Sequence, residues 1–227
     1  MREALLPASN GMKTVSQAVE DVIAQSPFLS EIISEGLANN AQIARRIKPE
    51  VEKKLLEKVS ESSIAMAIHR LSRNLQNPMF GMKFLQHMDN MTVRSNLAQF
   101  VVPNFDDLPS VLEKISQRAK HKKDIFLNFS RGLHESILIV SQILAEKVSA
   151  TLKHSKNLKK ITGLSAITMR LPERSLTIPG VYYPILKAIA LEGISLVEVM
   201  SVRTEFSIIF EDKDIDRAFS IIKRITK

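Results

Sequence analysis

Apolar residues recur every three or four positions through the first third of the chain, which is the spacing of amphipathic helices. The pattern predicts helices over residues 14–25, 28–37, 41–47, 50–58 and 61–76. Pro27 and Pro49 mark breaks between neighbouring helices, because proline cannot donate a hydrogen bond inside a helix. Thr14, Asn39 and Ser60 precede helices and can accept hydrogen bonds from their free N–H groups. We therefore expect a helical domain at the N-terminal end.

In residues 158–227 the spacing of apolar residues changes between the two-residue period of strands and the 3.6-residue period of helices. The alternation of Ile167, Met169 and Leu171 with polar or small residues predicts a half-buried strand over residues 165–171. Two more strands are predicted over residues 194–200 and 204–210, and helices over residues 183–192 and 214–225. The order strand–helix–strand–strand–helix is that of a ferredoxin-like α+β sheet.

Residues 91–157 repeat this order in a divergent form. The predicted elements are a strand at residues 96–102, a helix beginning at Asp106 or Asp107, a hairpin of residues 124–129 and 133–140, and a helix at residues 142–153. Residues 159–162 then supply an edge strand. We expect each unit's edge strand to come first, and the two units to pair into one sheet with helices on one face.

The predicted fold is α+β, with a helical domain followed by two tandem ferredoxin-like units. The expected organisation is a flexible tail (1–12), a helical domain (13–78), a linker (79–90), a divergent unit (91–157) and a second unit (158–227).

Composition adds limits on the chemistry. The 227 residues are 44% apolar, which suffices for hydrophobic cores. Cysteine is absent, which excludes disulfides and thiolate ligands. The net charge is +8, and the basic excess lies in residues 91–162, where clusters such as Lys120-His121-Lys122-Lys123 are interpreted as solvated loops. No apolar run approaches eighteen residues and no signal peptide is evident, so a cytoplasmic protein is expected.

Catalytic and metal-binding motifs are missing from the sequence. The histidines do not form metal-ligand spacings; they are His69, His87, His121, His134 and His154. Neither a phosphate-binding glycine loop nor a nucleophile elbow is present. We therefore expect a chain that is not an enzyme and that holds no metal or cofactor.

Several short motifs in residues 158–227 occur together in one order. They are Ile161-Thr162-Gly163-Leu164, Pro179-Gly180-Val181, Leu191-Glu192-Gly193-Ile194-Ser195-Leu196 and Ser201-Val202-Arg203-Thr204-Glu205-Phe206-Ser207. This stretch resembles the ACT domain, and most closely the regulatory half of aspartokinases. The resemblance covers about seventy residues. It implies a domain that binds an amino acid and reports this to an attached domain.

The resemblance also implies an effector site where the strand Ser201–Glu205 faces the start of a helix. A helix N-terminus presents N–H groups and partial positive charge to a carboxylate, and Gly180 permits close approach to the backbone. Glu205 is expected to meet the ligand's ammonium group. The expected ligand-binding residues are Pro179, Gly180, Val181, Tyr182, Ser201, Arg203, Thr204 and Glu205. In the alternative interpretation, the Pro-Gly pair only makes the turn. The divergent unit has no Pro-Gly pair at residues 102–106, so a ligand loop is not expected there.

The helix at residues 61–76 resembles the recognition helix of helix-turn-helix domains. Ile64, Ile68, Leu71 and Leu75 form an inward stripe, and residues 62–88 contain no acidic side chain. The expected DNA-binding residues are Ser62, Ser63, Met66, His69, Arg70 and Arg73. The alternative is a helical bundle with a solvated face.

Three functions remain open from the sequence. The first is an amino-acid-responsive regulator that binds duplex DNA through the helical domain. The second is a regulatory subunit that docks on a biosynthetic enzyme, and the third is a structural dimerisation module without a ligand. In each case a homodimer or larger oligomer is expected, because a ferredoxin-like sheet leaves exposed edges.

Overall fold

A computed structural model describes most of the chain. The described residues are 13–74, 85, 90–119, 125–153 and 155–226. Contacts between Cα atoms divide the chain into two compact units, Met1–Met79 and Phe80–Lys227. Among the described residues, no helix is long and apolar enough to cross a membrane. The predicted tail and almost all of the predicted linker fall outside the described residues.

The first unit contains helices throughout its described part. They are α1 (Val15–Ala24), α2 (Pro27–Ser34), α3 (Asn40–Leu55) and α4 (Glu61–Asn74). Each predicted cap is present: Thr14 accepts a hydrogen bond from the N–H of Gln17, and Asn39 accepts from those of Ala41 and Gln42. Ser60 accepts from the N–H of Ser63 at 3.1 Å. These side chains satisfy N–H groups that a helix start leaves without partners.

The predicted break at Pro49 is wrong. α3 runs without interruption from Asn40 to Leu55 with Pro49 inside it. Ile47 and Val51, on either side of the proline, are buried at 3% and 0% exposure. Because burial of two large aliphatic side chains contributes about 1.5–3 kcal/mol each, it offsets the roughly 3 kcal/mol that an internal proline costs.

The core of the first unit lies between these helices. α4 contributes the fully buried side chains of Ile64 and Ile68, and Leu71 packs against the same cluster, as the apolar stripe predicts. Leu75, the last residue of that stripe, lies outside the described residues.

The second unit mixes helices and strands, so the α+β class is confirmed. Its elements are β1 (Met91–Pro103), α5 (Leu108–Ala119), β2 (Leu127–Arg131), β3 (Glu135–Ser141), α6 (Gln142–Leu152), β4 (Lys159–Arg170), a 3₁₀ turn (Glu173–Thr177), α7 (Tyr183–Leu191), β5 (Glu198–Val202), β6 (Glu205–Glu211), a 3₁₀ turn (Asp212–Asp214) and α8 (Ile215–Ile225). The order βαββα occurs twice in this description.

The strands form one antiparallel sheet in the order β2-β3-β1-β4-β6-β5. The two copies of βαββα therefore meet at their long first strands, β1 and β4. The start of β1 pairs with the end of β4, where Met91 lies opposite Met169. The start of β4 pairs with the end of β1, where Lys159 lies opposite Val101. Each long strand therefore pairs with a strand of its own copy on one side and with a strand of the other copy on the other side.

Two bulges in the β1–β4 pair keep this register. β1 carries an extra residue between Arg94 and Leu97, and β4 carries one between Ile161 and Leu164. Asn96 and Gly163 occupy these bulges with φ values of +59° and +71°. Left-handed backbone is the conformation that bulges require and that Asn and Gly tolerate best.

The strand bounds correct the sequence prediction in one respect. Residues 159–162 were predicted as an edge strand separate from residues 165–171, but Lys159–Arg170 is one strand at the centre of the sheet. Gly163 looked like a break in the sequence, whereas its bulge lets the strand continue.

The helices pack on one face of the sheet, which we call the helix face. α5 and α6 cover Ala98, Phe100 and Val102 of β1, and α7 and α8 cover the alternate residues of β4 and β6. The opposite side of the sheet, called the second face, has its own buried cluster. It consists of Leu97, Ile139, Leu164, Ala166 and Ile209.

Candidate functional site

The loop before α7 is built by Gly180 and Val181. Gly180 has a φ of +68°, and its carbonyl accepts a hydrogen bond from the N–H of Tyr183 at 2.9 Å. Val181 is 7% exposed and packs into the core under α7. The glycine turns the chain so that the helix begins directly above the sheet.

Tyr182 fills the space between this loop and the sheet. Its ring stacks on Phe206 with centroids 4.1 Å apart and an interplanar angle of 14°. Its hydroxyl shares a hydrogen bond of 2.9 Å with the hydroxyl of Ser201. The structure therefore brings the loop and Ser201 together, with the tyrosine side chain lying between them.

Arg203 lies at the β5–β6 turn and is held by Glu173. Its Nε and Nη2 donate to the two carboxylate oxygens of Glu173 at 3.1 and 2.7 Å. This forked hydrogen bond holds the pKa of the Glu173 carboxyl below its ordinary value and raises the pKa of Arg203. The guanidinium therefore ties the turn to the 3₁₀ segment that follows β4.

Thr204 and Glu205 serve different parts of the sheet. The carbonyl of Thr204 accepts a hydrogen bond from the N–H of Leu171 at 2.8 Å. Phe206 is buried on the helix face, so its neighbour Glu205 points to the second face. Glu205 lies on the other side of the sheet from Tyr182 and Ser201.

A cavity that the sequence did not indicate lies in the first βαββα copy. It has a volume of about 580 Å³ and is bounded by the segment from β1 to α5 and by the end of α6. Its lining residues are Pro103, Asn104, Phe105, Asp107, Val111, Thr151, Ser155 and Lys156. This segment occupies the same place in its copy as the Gly180 loop does in the second. Because residues 102–106 lack a Pro-Gly pair, the sequence predicted no ligand loop at this position.

Asn104 fixes the shape of this cavity. Its side-chain amide donates to the carbonyls of Gly132 and Leu133 at 2.9 and 3.1 Å, and its Oδ1 accepts from the hydroxyl of Ser136. The loop is thereby fastened to the β2–β3 turn. A rigid wall of this kind preorganises a pocket.

The surface of α4 carries the residues expected at a DNA interface. Ser62, Ser63, Met66, His69, Arg70 and Arg73 are all exposed. Ser62 and Ser63 are also engaged by hydrogen bonds to Ser60 at 2.9 and 2.8 Å. Arg45 of α3 forms an ion pair with Glu61 at 3.4 Å at the start of this helix. Arg70 and Arg73 therefore provide the cationic groups of this surface.

A metal site of the usual composition is not formed within the described part of the chain. No group of three or more His, Asp or Glu side chains there is arranged to hold an ion.

Comparisons with known proteins bear on the fold. Neither a protein-family model nor a curated protein sequence matches the chain. Among solved structures, it is similar to an aspartate kinase from Clostridium acetobutylicum, with 10% identity and a TM-score of 0.52, over 62% of this chain and 35% of that one. It is also similar to the regulatory subunit of aspartate kinase from Thermus thermophilus, with 14% identity and a TM-score of 0.48, over 62% of this chain and 98% of that one.

A further match is the aspartate kinase from Synechocystis, with 16% identity and a TM-score of 0.48, over 61% of this chain and 27% of that one. The chain spans about a third of the length of the Clostridium enzyme that it matches. At these identities the likeness concerns the fold: it is a mixed helix and antiparallel-sheet fold resembling the ACT regulatory domains of aspartate kinase.

Proposed function

We propose that the chain is an amino-acid-responsive regulatory protein without catalytic activity, whose two βαββα copies are tandem ACT units. The observation that carries this proposal is the cavity beside α5, because it combines both signs of charge with an apolar wall. Its volume of about 580 Å³ lies within the ordinary range for small-molecule sites.

The lining of the cavity suits an amino acid. Lys156 supplies a cation for the ligand's carboxylate, and Asp107 supplies an anion for its ammonium. Phe105 and Val111 offer apolar surface to a side chain. At the Gly180 loop, in contrast, a ligand would have to displace Tyr182 from Phe206 and Ser201. We therefore place the effector beside α5, with the Gly180 loop as the competing position.

The ligand experiment is a thermal-shift screen of the twenty amino acids. An effector at about 100 times its dissociation constant adds roughly 2.7 kcal/mol to the free energy of unfolding. Lys156→Gln and Asp107→Asn should each remove most of this shift. The matched controls Lys147→Gln and Asp106→Asn should keep it.

Gly180→Val distinguishes the two positions. Loss of the shift in this variant alone, with circular dichroism unchanged, would place the effector at the Gly180 loop. If none of the twenty amino acids stabilises the wild-type protein, the sensing function is wrong.

For the first unit we propose that α4 binds duplex DNA in the manner of a helix-turn-helix recognition helix. The supporting observation is the outward position of Arg70 and Arg73 on a helix whose inward side chains Ile64 and Ile68 are fully buried. An arginine that reads a guanine edge contributes about 1–3 kcal/mol of discrimination. Binding of the effector would act by changing the spacing of two such helices in a dimer.

The DNA experiment is selection of genomic fragments followed by fluorescence anisotropy at two salt concentrations. Replacing Arg70 and Arg73 together by Ala should abolish specific binding, because both side chains are exposed and available to base edges. Arg46→Ala, an exposed arginine on α3, is the control and should bind as the wild type does. Enrichment of no sequence by the wild-type protein would contradict the DNA proposal.

The second candidate function is docking on an enzyme, and a different surface favours it. Phe28, Ile32 and Leu37 on and after α2 are 68%, 44% and 77% exposed. Large apolar side chains that cluster on a surface often mark a protein interface. If no DNA is selected, Phe28→Ser should weaken association with a biosynthetic kinase, while Arg70→Ala should leave it unchanged.

A further inference from the structure

The turn that joins α6 to β4 carries a run of lysines without acidic neighbours in the sequence. Residues 147–172 contain no Asp or Glu, and four lysines fall within eight positions of that stretch: Lys153, Lys156, Lys159 and Lys160. We call these four residues the basic end of the first copy. All four are exposed. A surface segment with one sign of charge produces a positive potential around it.

The charge of the basic end is not neutralised within the part of the chain that the structure describes. Lys13, Lys48 and Lys213 each form an ion pair with a carboxylate, but no described carboxylate forms one with a lysine of the basic end. Lys160 has an aromatic contact instead, because its Nζ lies 5.7 Å from the centroid of the Phe100 ring. The positive charge is therefore available to a partner.

Apolar residues fix the turn that bears these lysines. Leu152, at the end of α6, is 1% exposed, and Leu158, just before β4, packs against the same core cluster on the helix face. The N–H of Ser155 donates to the carbonyl of Leu152 at 2.8 Å, and Asn157 turns the chain with a φ of +60°. Because the two leucines are held inward, the turn keeps its cations at a fixed place on the surface.

The lysines of β4 extend the basic end to both sides of the sheet. Lys160 lies opposite Phe100, which is buried on the helix face, so Lys160 is on that face as well. Lys159 lies opposite Val101 and points to the second face, because neighbouring residues of a strand alternate. Cations on both sides of one strand end suit a long polyanion that passes over the end of the sheet, rather than a small anion in a pocket.

The polar side chains at the basic end are of the types that contact phosphate groups. Ser155, Asn157 and Thr162 supply hydroxyl and amide donors among the lysines. Together with lysine, these are usual contacts to the phosphate oxygens of a nucleic-acid backbone. Of the large apolar side chains in residues 147–163, Ile161 is the exposed one, at 43%. Binding to a membrane surface requires a broader apolar face, so this composition favours a nucleic acid.

We propose that the basic end binds the phosphodiester backbone of duplex nucleic acid without reading its sequence. The lysines contact phosphates, and the release of the counterions that they displace drives the binding. The site belongs to the second unit and involves no residue of α4. It therefore stands whether or not α4 recognises a specific DNA sequence.

The test is fluorescence anisotropy of the full chain with a short labelled DNA duplex of random sequence at several sodium chloride concentrations. Replacing Lys153, Lys159 and Lys160 together by Gln should raise the Kd at low salt at least about tenfold. The dependence of log Kd on log salt should become shallower by about 1 for each lysine, because each phosphate contact releases about one counterion. Lys156 stays unchanged because it also lines the cavity beside α5. Circular dichroism and thermal unfolding would confirm that the triple variant is folded.

The matched control replaces three exposed lysines on α5, α6 and α8 by Gln: Lys114, Lys147 and Lys223. It lowers the net charge by the same amount and should change the Kd and its salt dependence far less. An equal loss of binding in both triple variants would overturn the basic end as a site, because net charge alone would then explain the binding. Failure of the wild-type chain to bind the random duplex would also overturn it.

Two further measurements separate this site from α4 and from a membrane surface. The variant in which Arg70 and Arg73 are replaced by Ala should still bind the random duplex, and loss of that binding would overturn the basic end. If the wild-type chain binds the random duplex but enriches no sequence, the proposal for α4 is wrong and this one stands. Binding to phosphatidylserine vesicles without binding to the duplex would assign the lysines to a membrane and overturn the proposal.

Discussion

Gly180 shows how one residue positions a loop. Its φ of +68° is a left-handed conformation, and a Cβ added there would lie 3.9 Å from the Cβ of Tyr183. That contact is ordinary, so the cost of a side chain at this position is backbone strain. Gly180→Ala should lower the free energy of unfolding by about 1 kcal/mol, and Gly180→Asn by less, because Asn tolerates left-handed backbone. Urea unfolding would measure both.

A matched control for this prediction is Gly36 in the first unit. It has a φ of +70° and open space around the added Cβ, so Gly36→Ala should cost a similar amount. Equal stability of Gly180→Ala and the wild type would contradict the argument.

The Glu173–Arg203 ion pair predicts how the stability of the fold depends on pH. A carboxyl whose pKa is lowered on folding contributes stability above its unfolded pKa, and this contribution is lost as the pH falls through the folded pKa. Arg203→Gln should return the pKa of Glu173 to its ordinary value, since the hydrogen bond from Arg203 is the main cause of the shift. Carboxyl ¹³C NMR titration would measure it.

Arg170 is the control for this titration, because it lowers the same pKa only through charge and by less. Arg170→Gln should therefore raise the pKa of Glu173 by a smaller amount. A pKa that is the same in the wild type and in Arg203→Gln would show that the pair is not formed in solution.

At the scale of elements, α3 continues through a residue that disfavours helix. Pro49 removes the hydrogen bond that an N–H at this position would donate to the carbonyl of Arg45, and its ring crowds that carbonyl. Pro49→Ala should raise the free energy of unfolding of the first unit by about 1–3 kcal/mol. Thermal unfolding of the chain, followed by helical circular dichroism, would detect it.

The control is an alanine substitution at a position of α3 that holds no proline. Gln42→Ala is exposed on α3 and should change the stability by only a few tenths of a kcal/mol. A destabilised Pro49→Ala variant would show that the proline has a packing role which outweighs its backbone cost.

At the scale of the whole molecule, the edges of the sheet predict self-association. β2 and β5 are edge strands with unpaired backbone groups, and Val199 on β5 is 39% exposed. We expect light scattering to give at least twice the chain mass of 25.5 kDa. Val199→Lys should weaken the association, because a charged side chain blunts an edge.

Leu191→Lys, at the exposed end of α7, is the control for this prediction. It introduces the same charge away from the edge and should leave the association unchanged. A mass of 25.5 kDa that does not depend on concentration would rule out the oligomer.

The sequence by itself determined the type and order of most helices and strands, but it divided α3 at Pro49 and β4 at Gly163, where the structure has single elements. Local rules were sufficient here: Thr14, Asn39 and Ser60 cap helices because of their own side chains. The spacing of apolar residues also identified the inward face of α4, because this spacing is likewise a property of the local sequence. The side of the sheet on which Glu205 lies was also available from the sequence, since Phe206, Ile208 and Phe210 alternate with it.

The tertiary structure alone decided how β1 and β4 pair, because strand pairing depends on contacts between residues far apart in sequence. It also decided that Tyr182 fills the space behind the Gly180 loop and that an open cavity lies in the other copy. Whether a space is filled depends on side chains from several elements at once. The motifs fixed where the chain turns, and packing determined where space remains for a ligand.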